Sequence, residues 1–445
     1  MTRRRLSAAL VSLVLPISFL GAQQGAAAGV ATGDPAVDSA TIARAAWARV
    51  TAAARGNDLA AAGKAAGEAT RAWPTQEAYI WGSAVLAAQT GDTAGVLSGL
   101  KDYAAIGLGR DVRAHPVLGA FGDLPSYRDV IAAHDRNRAP LVNGVPRTVI
   151  ADSLFWPEGF DIDTISGKYY IASVYYRTIA EFDPKTGVSR EIMLRFIPTV
   201  GSILGVRVDA ARGVLWATTA GLPQMQSYKP ADSTIAALLK IRIKDGVIER
   251  RWDLPASPNG HTLGDLAIGP NGDVFFTDSR DPVFYWLKPG RDLFEYFRHP
   301  LFQSLQGIAP TPDGKVVYIA DYSHGLIRMD LATQVMSRLS DAPNSTSLGL
   351  DGLAWDRGAI VGVQNGVSPA RVMRYVLSAD GYRIARAELL DRNLPVADEP
   401  TIGAILNGEF FYVANSQWDK FNDKGVRLPG TTVAPVVVIG VKLPK

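Results

Sequence analysis

Six stretches in the C-terminal part of the sequence each set a short residue group at the head of an apolar run: Glu158, Leu204, Gly264-Asp265, Gln306, Asp351 and Glu399-Pro400. Four carboxylates stand among them. If the fold brings Glu158, Asp265, Asp351 and Glu399 to one axis, they repel one another unless protons, a cationic ligand or a metal ion compensates them. An all-oxygen donor set suits a hard cation, so a divalent metal is the expected cofactor, Ca2+ first and Zn2+ second. The competing structural use is that Glu158 and Glu399 cap turns while Asp265 and Asp351 bond backbone between neighbouring segments. His261, shortly before Asp265, adds an imidazole that could carry a proton near neutral pH, or stand exposed in a turn. Asp351 and His261 are thus the catalytic candidates, and Glu158, Asp265, Asp351 and Glu399 the candidate metal ligands.

Other chemistries find less support. The chain has no cysteine, which removes thiol nucleophiles, thiolate metal sites, disulfides and a lipid attachment point. Ser279, Ser323 and Ser416 follow predicted strands, but none sits in a G-x-S-x-G setting. No nucleotide-binding loop accompanies them, which leaves a cofactor-dependent dehydrogenase as the weakest reading. His299 and His324 read as loop residues. Asn365 and Asn415 follow later strands, and Trp418 in Asn415-Ser416-Gln417-Trp418 either stacks a ligand ring or packs under the last loop. The formal charge is +3, of which Arg3, Arg4 and Arg5 supply three, and no later Lys/Arg block could neutralise phosphates. Nucleic acid is not an expected partner.

The elements that must position these residues are short strands. After Arg138-Ala139-Pro140 the sequence turns to runs rich in Val, Ile, Tyr, Phe and Trp, cut by Gly, Asp, Asn and Pro. One unit recurs: an apolar stretch after a glycine, an Asp/Gly turn, then an aromatic or β-branched strand ending in a small polar residue. The copies begin at Glu158, Leu204, Gly264, Gln306, Asp351 and Pro400. Six copies at spacings of roughly 40 to 60 residues predict six four-stranded blades. The fold class is therefore mainly β, a six-bladed β-propeller over residues 145–445. The last copy has room for three strands, so a strand at Val145–Ile150 is expected to complete it and lock the ring. Corresponding innermost-strand positions would then converge on the central channel.

The residues before the propeller follow another period. From about Val37 the chain is alanine-rich, with apolar residues three and four apart, as at Ala45, Ala46, Val50 and Ala53. Breaks at Gly56-Asn57-Asp58, Trp73-Pro74-Thr75 and Gly91-Asp92 divide it into helices, with Thr75 and Glu77 expected to start one of them. Residues 37–137 thus form a small N-terminal α-helical domain. Small residues Ala62, Gly63 and Ala66, the Trp81-Gly82 pair and Pro74 make it resemble tetratricopeptide repeats, which implies a docking surface for a protein partner. A cap shielding one face of the propeller is the alternative. Residues 1–28 have a cationic start, an apolar run from Leu6 to Leu20 and small residues at Ala22 and Ala26 to Ala28, the build of a signal peptide. Thr2 to Leu6 also resembles a twin-arginine start. The expected location is periplasmic or extracellular, with no membrane association once the leader is removed.

Trp156-Pro157-Glu158-Gly159 and the repeated G-[LI]-A-x-[DP]-x-x-G pattern resemble the senescence-marker-protein/gluconolactonase superfamily, whose architecture is shared by strictosidine-synthase-like and paraoxonase-like propellers. The resemblance covers roughly Val145 to Lys445. It implies that an inner-strand Glu, an Asn and an Asp bind one divalent cation, which polarises a lactone carbonyl and activates water. The Glu falls on Glu158 and the Asp on Asp351. The Asn position holds Gly264, with Asp265 the nearest polar side chain, and a second Asn position holds Leu204. Two functions follow: an exported, divalent-metal-dependent lactone or ester hydrolase, or a non-catalytic propeller that captures a small molecule while its helices dock a partner.

Overall fold

Asp/Gly turns between the apolar runs fold each strand back on its predecessor, which produces antiparallel four-stranded sheets. The computed structural model describes residues 35–292 and 294–445; the expected leader lies outside the described residues. Six such sheets are present. Their inner strands are Pro157–Ile162, Ser202–Asp209, Leu263–Ile268, Leu305–Pro310, Leu353–Asp356 and Gly403–Leu406. Each inner strand lies beside the next, and the sixth lies beside the first, so the sheets form a closed six-bladed propeller.

The recurring glycine at the second position of the copies has a steric cause. A Cβ on Gly159 would stand 2.2 Å from the Leu204 carbonyl oxygen, and one on Gly307 would stand 2.3 Å from that of Asp351. The next blade's backbone passes too close for a side chain. Between blades, apolar side chains interdigitate; Phe275, Phe284, Ile308, Val317 and Ile319, for example, fill the layer between the third and fourth.

The ring closes as expected. Val145–Ile150 pairs antiparallel with Val436–Lys442, Val145 opposite Gly440 and Ile150 opposite Val436, and thereby completes the sixth blade.

Among the described residues, five α-helices precede it: α1 (Pro35–Arg55), α2 (Leu59–Ala72), α3 (Glu77–Thr90), α4 (Thr93–Ala105) and α5 (Arg128–Arg138). Asp58 and Asp92 cap α2 and α4 by accepting the amides of Ala61 and Gly95, each at 2.9 Å. Helix α3 departs from expectation. Gln76 caps it, while the Thr75 hydroxyl reaches across to Asp341 Oδ2 in the propeller, 2.7 Å away. Small residues let α1 and α2 approach closely: α1 contributes Ala40, Ala43 and Ala46 and α2 contributes Ala62, Ala66 and Ala69, all of them buried. The helices pack onto loops of the fourth and fifth blades.

Candidate active site at the channel mouth

The inner strands leave six equivalent positions around the axis: Glu158, Leu204, Gly264, Gln306, Asp351 and Thr401. The sixth differs from the sequence expectation. Thr401 N bonds Val413 O as Asp351 N bonds Val363 O, which puts Thr401, rather than Glu399 or Pro400, in register with Asp351. Glu399 stands in the turn before the strand, in a left-handed conformation with φ 58°.

Glu158 and Asp351 come together across Thr401. Thr401 Oγ1 lies 3.0 Å from Asp351 Oδ2 and 3.5 Å from Glu158 Oε1. The single hydroxyl proton serves the shorter contact, to Asp351, and Glu158 lies at the outer limit of the same hydroxyl. Asp351 Oδ2 also accepts from Asn365 Nδ2 at 2.7 Å, and Glu158 Oε2 accepts from Trp418 Nε1 at 2.7 Å. Tyr322 donates its hydroxyl to Asn365 Oδ1, which fixes the orientation of that amide. Glu158, Asp351, Asn365 and Tyr322 are each half-buried.

Burial and mutual repulsion set the electrostatics. Burial, then the charge of Asp351, holds the Glu158 carboxyl well above the ordinary range. Burial lifts Asp351 to about 6, against the opposing hydrogen bonds from Thr401 and Asn365. Glu399 is raised to about 7, mainly by burial, although its Oε2 accepts the Asp419 amide at 3.0 Å. Burial and the three carboxylates push the Tyr322 phenol well up. Backbone strain accumulates at the same place: Trp156, two residues before Glu158, has φ 46°, and Glu399 stands two before Thr401.

Two predicted residues do not join this group. Asp265, 2% exposed, pairs with Arg207 at 2.9 Å, and Arg207 also donates to Phe160 O at 3.0 Å. That guanidinium ties three blades together. Burial still raises Asp265 to about 6. His261 places Nδ1 2.5 Å from Asp278 Oδ2 and Nε2 2.8 Å from Pro255 O. Both ring nitrogens are thus committed to acceptors, one in the third blade and one in the connection leading into it. Burial opposes protonation, but the Asp278 hydrogen bond and charge prevail and raise the imidazole above its usual value. Asp278 in turn receives the amides of Thr262 and Arg280, a structural clasp.

The four-carboxylate metal shell is therefore not assembled: Asp265 is paired with an arginine, and Glu399 is turned toward a backbone amide. Among the described residues, no group of three or more His, Asp or Glu could hold a metal ion. What the sequence reading missed are Thr401, Tyr322 and Arg207. The register of the sixth copy, offset by the strained turn at Glu399, concealed the first.

Aromatic side chains border the acid pair. Trp156 stacks on Phe421 at 3.9 Å and meets Trp418 edge-on at 5.1 Å. Trp418 and Phe421 belong to a long connection in the sixth blade whose base is fixed by Asn415, bonded to Pro435 O and Val437 N, and by Gln417, bonded to Ala434. Trp418 thus both borders the mouth and packs on Trp156.

No protein-family model matches the chain, and no curated protein sequence does. Among solved structures it is similar to a virginiamycin B lyase from Staphylococcus aureus, with 14% identity, 62% of this chain and 82% of that one covered, and a TM-score of 0.42. It is also similar to a luciferin-regenerating enzyme, with 14% identity, coverages of 69% and 98%, and a TM-score of 0.45. A streptogramin B lyase gives 12% identity, coverages of 67% and 97%, and a TM-score of 0.44. The chemistry of the acid pair rests on its own geometry.

Proposed function

We propose that the protein is an exported propeller hydrolase that opens a small ester or lactone with Glu158 and Asp351 as an acid and base pair. The observation that carries this reading is the pair itself: two half-buried carboxyls at a channel mouth, joined through the Thr401 hydroxyl. Among the described residues, neither is hydrogen-bonded to a Lys or Arg in that arrangement. Asp351 Oδ2 accepts from both Thr401 and Asn365, which favours its charged form and makes it the base, with Glu158 as the acid. Asp351 takes a proton from water as the water oxygen bonds to the carbonyl carbon, and Glu158 gives its proton to the carbonyl oxygen. Collapse of the tetrahedral adduct breaks the acyl C–O bond. The Asp351 proton goes to the leaving alkoxide, and the former carbonyl oxygen returns its proton to Glu158, so that one water is consumed per ester opened.

The four-carboxylate shell is not assembled, and the two Asn positions of the resemblance hold Gly264 and Leu204, so no step is routed through a metal. The test is a screen of small lactones and esters with wild type, Glu158→Gln and Asp351→Asn, each with and without a chelator. The expected result is hydrolysis that falls about 100-fold or more in each variant and is insensitive to chelation. Hydrolysis retained in either variant, or none with any substrate, overturns the reading.

A second reading has its own observation. Leu204, 1% exposed, and Gly264 give the second and third blades no polar side chain at the ring. A channel with one apolar and one acidic wall would suit capture of a small amphipathic ligand without turnover. Calorimetry showing stoichiometric binding with no product formed would favour it.

A further inference from the structure

We propose that the helical segment is a positioning element of the acid site, fixing three successive loops of the fourth and fifth blades that carry Tyr322, Asp351 and Asn365. This rests on the acid-pair reading above.

In each loop, a residue held by the helices stands two or three positions from a site residue. His324, two after Tyr322, contacts Arg44 of α1 through Nε2, and its ring stacks on Trp73 with centroids 6.0 Å apart. Leu348, three before Asp351, is buried among Ala40, Ala43, Ala69, Trp73 and Tyr79. Val367, two after Asn365, enters the helical core beside Ile80, Trp81 and Leu108. Polar contacts back up each anchor. Gly109 N donates to Ser368 O at 3.1 Å, and buried Arg371 donates to the carbonyls of Ile106 and Gly107 at 3.3 and 3.0 Å. Thr75 holds Asp341, whose other carboxylate oxygen receives the Ser347 amide and hydroxyl at 3.0 and 2.6 Å.

The three loops are also laced to one another. Gly349 N donates to Tyr322 O at 2.8 Å, and Gly366 N donates to Gly349 O at 3.0 Å. The backbones approach so closely that a Cβ on Gly366 would stand 2.4 Å from the Tyr322 ring. A displacement at any anchor is therefore passed through stiff, buried contacts to the Tyr322 to Asn365 to Asp351 chain of hydrogen bonds. Apolar anchoring of this kind is cheap to weaken locally, because Val→Ala changes volume without adding charge.

The test uses the full chain and needs no substrate. The titratable groups facing Asp351 are Glu158, Glu399, Tyr322 and Asp265. The Asp351 midpoint is read from the pH dependence of the Tm difference between each protein and its own Asp351→Asn counterpart. Asn365→Ala is the reference, because it removes the hydrogen bond directly. Val367→Ala and Thr75→Val, both outside the site, should move the midpoint in the same direction by about half a pH unit or more. In the Asn365→Ala background they should add nothing further. Midpoints that stay at the wild-type value while circular dichroism shows intact helices overturn the proposal, as do fully additive shifts. Thr75→Val, which deletes one hydroxyl without opening a cavity, keeps the test decisive if Val367→Ala loses helix. A wild-type midpoint in the ordinary carboxylate range is a different failure: it sinks the acid pair itself, and the positioning role with it.

Discussion

Trp418 donates its indole N–H to Glu158 Oε2 across 2.7 Å, from the sixth blade to the head of the first, at the seam where the ring closes. A donor to a carboxylate stabilises its charged form. Trp418→Phe keeps a ring against Trp156 and deletes the donor. The Glu158 carboxyl should then rise further, moving the alkaline limb of the pH–rate profile upward by about one unit while leaving the limb set by Asp351 in place. Carboxyl-detected NMR titration would show the same change without substrate.

Asp351 predicts an unusual gain on removing a charge. Its carboxyl titrates at about 6 in the folded protein, against about 3.9 when unfolded. The native state therefore binds its proton more tightly, and stability falls as pH rises from about 4 to 6. Asp351→Asn should match wild type at pH 4 and be more stable well above pH 6, by up to about 3 kcal/mol. Calorimetric scans at the two pH values check this; a variant less stable at pH 8 would contradict it.

His261 predicts the opposite slope. Its folded value is raised by Asp278, so its contribution is complete below about 6.5 and is lost as pH rises through the folded value. Asp278→Asn should flatten the change of Tm between pH 6 and 8 and cost about 2–3 kcal/mol at pH 6. The Asp351 titration should stay where it was, because the two groups belong to separate networks.

Arg207 is the sole ion-pair partner shown for Asp265 among the described residues, and the pair is buried. Arg207→Met strands a buried carboxylate between the blades and should cost about 3–5 kcal/mol in urea unfolding. Adding Asp265→Asn to that variant should return part of the loss, the mark of an uncompensated charge rather than a packing defect.

The blades were legible because each repeat carries its own reasons: a glycine where Gly159 and Gly307 meet the neighbouring strand, and an Asp/Gly turn between strands. The closing strand was legible from a simple shortage, since the last copy lacked a fourth partner. The acid pair was half legible. Glu158 and Asp351 occupy inner positions that periodicity can find, but Asp265 lies one residue past the ring, where its side chain meets Arg207. No spacing rule reveals an ion pair between residues of different blades. Thr401 was hidden because the strained turn at Glu399 shifts the sixth copy, and His261 was misread because its partner Asp278 is adjacent only after the third blade folds.

The pairing of Val145–Ile150 with Val436–Lys442 joins the first described strand to the last described one. Until Val436–Lys442 has emerged from the ribosome, the sixth blade lacks its outermost pair and Val145–Ile150 has no partner. The propeller can collect its blades in order but cannot close early, and this most distant contact also carries the largest loop-closure entropy. Quality control is thereby built into the topology. A chain cut short by even its last strand leaves both Val145–Ile150 and the edge of Glu409–Val413 unpaired, so truncated copies should be captured by proteases or aggregate rather than persist as partly active rings.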